Sequence, residues 1–188
     1  MWNSRLSESF YIPLQNLEVV LRNNIHRALT NYYGTDMWFD TPRLLQSYQA
    51  RQIAQARQKL SSEDQLNAGK IVAELSFGFW SALVARRYSA SLVPVLLREC
   101  FRDIPASSRR QVYLSATLNA LRMFRNRVFH HEPIWYLSDL ADKFNTIMQL
   151  VIWLSPELYR VVYPITNFHD VYSQGTLPFK RNVLDASN

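Results

Sequence analysis

The sequence predicts an all-α protein, specifically a four-helix bundle with appended helices, and three observations carry that prediction. Apolar residues recur at three- and four-residue steps along nearly the whole chain, the period of a helix with one buried face. No segment shows the two-residue alternation of a half-buried strand. With 188 residues, 48% of them hydrophobic and 13% aromatic, the chain has enough apolar surface to build a core of its own.

The elements follow in order. Phe10, Leu14, Leu17, Leu21, Ile25, Ala28 and Tyr32 mark one long amphipathic helix that ends at Gly34, with Pro13 in its first turn or at a kink. Thr41-Pro42 reads as an N-cap followed by an N1 proline, opening a polar helix to about Leu60. Its apolar stripe is thin: Leu44, Tyr48, Ile53 and Ala54. A third helix is expected from Gln65 to Arg87, with Ile71, Leu75, Phe79 and Leu83 on one face. A shorter one covers Leu92 to Phe101 and admits Pro94 in its first turn. Ser107 and Ser108 cap a fifth helix, from about Arg109 to His131, which Pro133 stops. A sixth begins near Ser138 and carries Phe144, Ile147, Met148, Val151 and Leu154, and Ser155-Pro156 opens a last short helix through Val162. Residues 1–163 are thus expected to form a single helical domain. From Pro164 onward, Pro, Gly and Asn predict an extended or partly disordered tail over residues 164–188.

Composition excludes several function classes. The four glycines stand at 34, 69, 78 and 175, too far apart for a Walker A loop or a GxGxxG fingerprint. One cysteine, Cys100, rules out an internal disulfide framework and a cysteine-based zinc site. The most apolar run, Ile147 to Leu154, falls far short of the roughly 20 residues of a membrane span. The first residues carry Arg5 and Glu8 and lack the apolar core of a signal peptide, so a soluble cytoplasmic protein is expected.

The charge points toward a polyanion. There are 21 Lys+Arg against 15 Asp+Glu, a net charge of +6, and seventeen of the cations are arginine. Residues 98–131 hold Arg98, Arg102, Arg109, Arg110, Arg122, Arg125 and Arg127 against Glu99 and Asp103. That segment has the footprint of a nucleic-acid partner, or of a solvated helical face.

Helical geometry singles out one of these arginines. With Leu114 set to zero and about 100° per residue, Leu118, Leu121 and Val128 lie within about 40° of it and define the core face of the fifth helix. Arg125 falls at about 20°, in the middle of that face. A guanidinium there needs a buried partner, Glu74 or Glu18, or must line a cleft. Asn126 and His130 sit one turn apart beside it. A second Arg/His row, Glu18, Arg22 and His26, reads as an i,i+4 charge ladder.

Arg125-Asn126-Arg127-Val128-Phe129-His130 resembles the R-N-x-x-x-H form of the motif of HEPN ribonucleases. Its continuation, His131-Glu132-Pro133-Ile134-Trp135, is similar to the Abi-like (abortive infection) branch of that superfamily. So are Trp2-Asn3, Leu17-Glu18-Val19-Val20-Leu21-Arg22-Asn23, Gly34 with Trp38-Phe39, and Glu74-Leu75-Ser76-Phe77-Gly78, so that the likeness spans about residues 2–155. The resemblance implies a HEPN-type four-helix bundle with additional helices, acting as a homodimer with a composite active site. It implies metal-independent RNA cleavage by attack of the ribose 2′-OH on the adjacent phosphate, in an anti-phage or toxin effector held in check by an antitoxin protein or an inhibitory RNA. Carried over by position, Arg125, Asn126 and His130 form the catalytic set. Glu74, Arg22 and Glu18 are expected to support them, and Arg122, Arg127, His131, Arg109 and Arg110 to contact RNA.

The residue types suit that reaction. A histidine exchanges a proton near neutral pH, and an arginine presents a fixed fork to two phosphate oxygens. With one motif histidine per chain, a two-fold dimer would supply both acid and base. Neither a metal nor a cofactor is expected, because His130, His131 and Glu132 diverge around the helix end. Trp135, Trp80 and Phe129 are candidates for stacking bases, or for the core. The alternative function is a non-catalytic RNA-binding or scaffold dimer in which the motif holds the interface.

Overall fold

Residues 1–178 are described by the computed structural model, and every regular element among them is helical. The predicted tail beyond residue 178 lies outside the described residues.

The N-terminal helix is two helices: α1, Trp2–Ser9, and α2, Tyr11–Tyr33. Proline explains the break, since Pro13 has no N–H to offer the Ser9 carbonyl and is tolerated only in the first turn of a new helix. Gly34, at φ +70°, ends α2 with its N–H on the Thr30 carbonyl at 2.9 Å. The predicted core positions of α2 are buried except Tyr32, which is exposed.

The next helix starts later than Thr41-Pro42. Arg43 adopts a left-handed φ of +62°, which no α-helix accommodates, so the chain turns over 41–46 before α3, Ser47–Gln58. The buried face of α3 is Gln49, Ile53 and Ala56, while Tyr48 and Ala54 face solvent. Gln49 is satisfied inside by the Tyr88 hydroxyl, which donates to its Oε1 at 3.1 Å.

The long helix expected over 65–87 is also broken, into α4, Ala68–Ala73, and α5, Phe77–Ala82, with a single 3-10 turn at Arg86–Tyr88. Ser76 is extended, and the Trp80 indole N–H donates to the Leu75 carbonyl at 3.3 Å. That carbonyl would otherwise take the Phe79 N–H, which bonds Ser76 instead at 2.9 Å. Ile71, Leu75, Phe79 and Leu83 are buried despite the break. Helix α6, Val93–Val95, has proline in its first turn and runs into a wide π-type turn, Leu96–Cys100.

Helix α7 covers Gln111–Phe129 and α8 covers Leu140–Leu154, close to expectation. Helix α9, Pro156–Val162, opens as Ser155-Pro156 predicts: the Ser155 hydroxyl oxygen accepts the Leu158 N–H at 3.2 Å. Past Pro164 the expectation of an extended chain gives way to α10, Phe168–Gln174, whose Phe168 and Val171 are buried.

The described residues cluster into two compact units. The first comprises Met1–Glu18 and the chain from Met123, and the second comprises Val19–Arg122, so α2 and α7 each contribute residues to both. The core of the first is aromatic. Phe10 meets Phe124 edge-on at 4.8 Å between ring centroids, and Phe144 stacks on Phe168 at 4.5 Å. Phe10 also lies 4.9 Å from Phe168, which is why the chain folds back after Pro164. The second unit is built on Trp38, Trp80, Phe79, Tyr88 and Leu96, all fully buried. Among the described residues, no helix is long and apolar enough to cross a membrane.

Candidate active site

The C-terminal end of α7 positions the motif. Leu114, Leu118, Leu121 and Val128 are buried, as their spacing predicts, and Arg125 sits among them as the half-buried exception. Its partner is Glu18, from α2. Arg125 Nη2 and Nε reach the same carboxylate oxygen, Oε2, at 3.2 and 3.3 Å. The guanidinium also lies over the Phe129 ring, 4.3 Å from its centroid, and Phe129 in turn stacks on Tyr11 at 5.3 Å. Arg125 is therefore fixed on one edge by a charge and on one face by a ring. Its Nη1 has no hydrogen-bond partner among the described residues.

With side chains 27% and 18% exposed, the pair lies between a surface bridge and a buried one. Removing one partner would cost about 1–3 kcal/mol, most of it the penalty on the charge left behind. Asn126 is half-buried and His130 exposed. The His130 N–H still bonds the Asn126 carbonyl at 2.8 Å, so the ledge of side chains keeps helical spacing just past the last residue of α7.

The helix stops two residues earlier than expected, and its stop is built from the motif's own continuation. His131 takes a left-handed φ of +58°; its N–H bonds the Val128 carbonyl at 3.2 Å, and the Glu132 N–H bonds the Arg127 carbonyl at 2.9 Å. This is a Schellman closure with histidine in the place usually held by glycine. Arg127 secures it from outside, donating to Glu132 Oε2 at 3.1 Å and to the Tyr136 hydroxyl at 2.6 Å. Asn3 of α1 finishes the turn, its Oδ1 accepting the Ile134 N–H at 2.7 Å and the Trp135 N–H at 3.3 Å.

The other residues singled out from sequence have partners of their own. Of the two acids open to Arg125, Glu74 belongs to the second unit, where its carboxylate pairs with Lys59 at 3.4 Å. Arg22, also in the second unit, donates to Asn23 Oδ1 at 3.2 Å. His26 is engaged with the core rather than a ladder: its Nδ1 accepts the Trp38 indole N–H at 3.1 Å, and burial lowers its pKa against the opposing pull of Asp36. Arg109 donates to the Arg102 carbonyl at 2.6 Å, Arg110 to the Ser107 carbonyl at 2.9 Å, and Arg122 to Asn119 Oδ1 at 2.9 Å; all three belong to the second unit. Arg127 and His131 remain beside the motif, as constituents of the turn after α7.

Trp80 is fully buried core, Phe129 supports Arg125, and Trp135 is 59% exposed. Among the described residues there is no cluster of three or more His, Cys, Asp or Glu side chains arranged to hold a metal ion. Burial pushes the pKa of the Cys100 thiol well up, which removes it as a nucleophile. Sequence reading missed Tyr11 and the roles of Asn3 and Phe129. The i,i+4 spacing of Arg125 and Phe129 was the available signal for the ring contact.

Comparison of the chain with protein-family models, with curated proteins and with solved structures found no match.

Proposed function

We propose that this chain is a metal-independent endoribonuclease of the HEPN type, a cytoplasmic homodimer in which the motif ends of two α7 helices form one RNA-cleaving cleft. Its support is the anchored Arg125: a guanidinium held by Glu18 and Phe129 with Nη1 left over, at the same helix end as Asn126 and an exposed His130. Nη1 offers a donor to a phosphate oxygen, and the fixed position of the guanidinium means little reorganisation as charge develops on phosphorus. His130 of one protomer takes the proton of the ribose 2′-OH as its oxygen bonds to phosphorus. His130 of the partner subunit gives a proton to the 5′-oxygen as the P–O5′ bond breaks. Asn126 orients the imidazole or a phosphate oxygen. The products carry 2′,3′-cyclic phosphate and 5′-OH ends. An antitoxin protein or inhibitory RNA would restrain such an activity in an anti-phage effector.

The ion pair to Glu18 favours a second reading, a non-catalytic RNA-binding or scaffold dimer in which Arg125 is only structural. One assay separates the two. Purified protein is incubated with an end-labelled RNA pool, with and without EDTA. The ribonuclease cleaves in both conditions and leaves cyclic phosphate ends. Arg125→Ala lowers the rate by about 10²–10³-fold and His130→Ala by at least roughly 10²-fold, while both retain the helical circular dichroism spectrum. Salt-sensitive binding without cleavage establishes the module instead.

A further inference from the structure

The second unit contains a cavity of about 260 Å³ that the motif does not touch. Phe39, Leu45 and Ile53 supply an apolar wall, and Asp40, Arg43 and Arg57 bring charge to it. It exists because Arg43, at φ +62°, turns the chain over 41–46, where sequence spacing predicts the first turns of a helix.

The charges at the cavity are unequally satisfied. Arg57 Nη2 donates to Asp40 Oδ2 at 2.5 Å and lies 4.0 Å from Met37 Sδ, and the guanidinium sits over the Phe39 ring at 5.7 Å. Its Nε is buried without a partner, and Nη1 has none among the described residues. Nε is closed off from solvent, so the edge of Arg57 open to an added acceptor is Nη1. Arg43 is exposed and makes no hydrogen bond or ion pair among the described residues. Asp40 is already neutralised by Arg57, so the three charged groups sum to +1, inside a unit with fourteen Lys+Arg against seven Asp+Glu.

We infer that this cavity binds a small organic anion, a carboxylate or phosphate on a flat apolar body, with the anion between Arg43 and Arg57 and the body against Phe39 and Ile53. The charge selects the anion. The aliphatic and aromatic wall selects a body over a bare ion, and the volume limits it to something smaller than a drug-sized ligand. The site is independent of the ribonuclease reading and stands or falls without it.

Ligand-observed NMR titration of the purified chain tests the inference, with benzoate and phenyl phosphate as probes and benzyl alcohol and inorganic phosphate as controls. Both aryl anions should bind roughly tenfold more tightly than either control. Arg43→Ala, at an exposed position, should weaken them at least fivefold or so. Ala54→Trp, which adds bulk to the cavity from the exposed side of α3, should abolish binding. Circular dichroism and Tm verify that both variants remain folded. No aryl-anion binding at ~10 mM overturns the inference. So does equal affinity for benzyl alcohol or inorganic phosphate, or binding retained in both folded variants.

Discussion

His131 shows how a single residue can serve the end of a helix rather than its surface chemistry. It holds a left-handed conformation that an L side chain adopts at a cost of about 1 kcal/mol and that glycine adopts freely. His131→Gly should therefore stabilise the protein by about 1 kcal/mol in urea denaturation, with the midpoint raised and the slope unchanged. A loss of stability would mean that the imidazole makes contacts that outweigh the strain. RNA cleavage by the variant then reports separately on whether the side chain meets substrate. Arg125 is the counterpart. Its place on the apolar face was legible from 100° steps along α7, and the need for an acid followed from the cost of a lone buried charge. The choice of Glu18 over Glu74 was not legible, because both acids sit a plausible helix away in sequence and only the tertiary fold distinguishes them.

Among the elements, the turn after α7 is the one most dependent on a distant partner. Asn3 accepts two backbone N–H groups through one oxygen, so Asn3→Ala orphans both. The expected loss is about 1–2 kcal/mol in thermal or chemical denaturation, with Asn3→Asp retaining most of the stability because its oxygen can still accept. A neutral Asn3→Ala would show that water replaces the carbonyl oxygen without penalty. Helices α7, α8 and α9 were readable from their stripes and from Ser155-Pro156, where local signals and burial agree. The expected helices over 41–60 and 65–87 were not continuous. Arg43 breaks the first with a left-handed φ that its residue type does not announce. In the second, the Trp80 indole takes the Leu75 carbonyl away from the helix, a local side-chain bond that apolar periodicity does not reveal. The composition of the tail misled in the opposite sense: Pro164, Asn167 and Gly175 frame α10, and Phe168 within it belongs to the core.

At the scale of the whole molecule, charge and motif part company. The second unit carries fourteen Lys+Arg against seven Asp+Glu, whereas the sequence of the first carries seven against eight. The larger electrostatic share of polyanion affinity should accordingly come from the second unit. Replacing Arg102, Arg109 and Arg110 with Glu should weaken binding to a fluorescently labelled RNA and flatten the dependence of log K on log salt by about one for each phosphate no longer neutralised. Arg160→Glu, at an exposed position of the first unit, should leave the slope unchanged, and fluorescence anisotropy across a KCl series measures both. Equal slopes for the two variants would dismiss the assignment. The first unit has a further property: it is assembled from two segments that flank the second unit in sequence. Glu18 and Arg125 are 107 residues apart in sequence, and the aromatic core around Phe10 is incomplete until Phe168 has been added. A growing polypeptide therefore carries Glu18 long before it carries Arg125, and every residue of the second unit is made in between. Whatever Arg125 does, the first unit that holds it is not assembled until the whole second unit and the segment through Phe168 have been made.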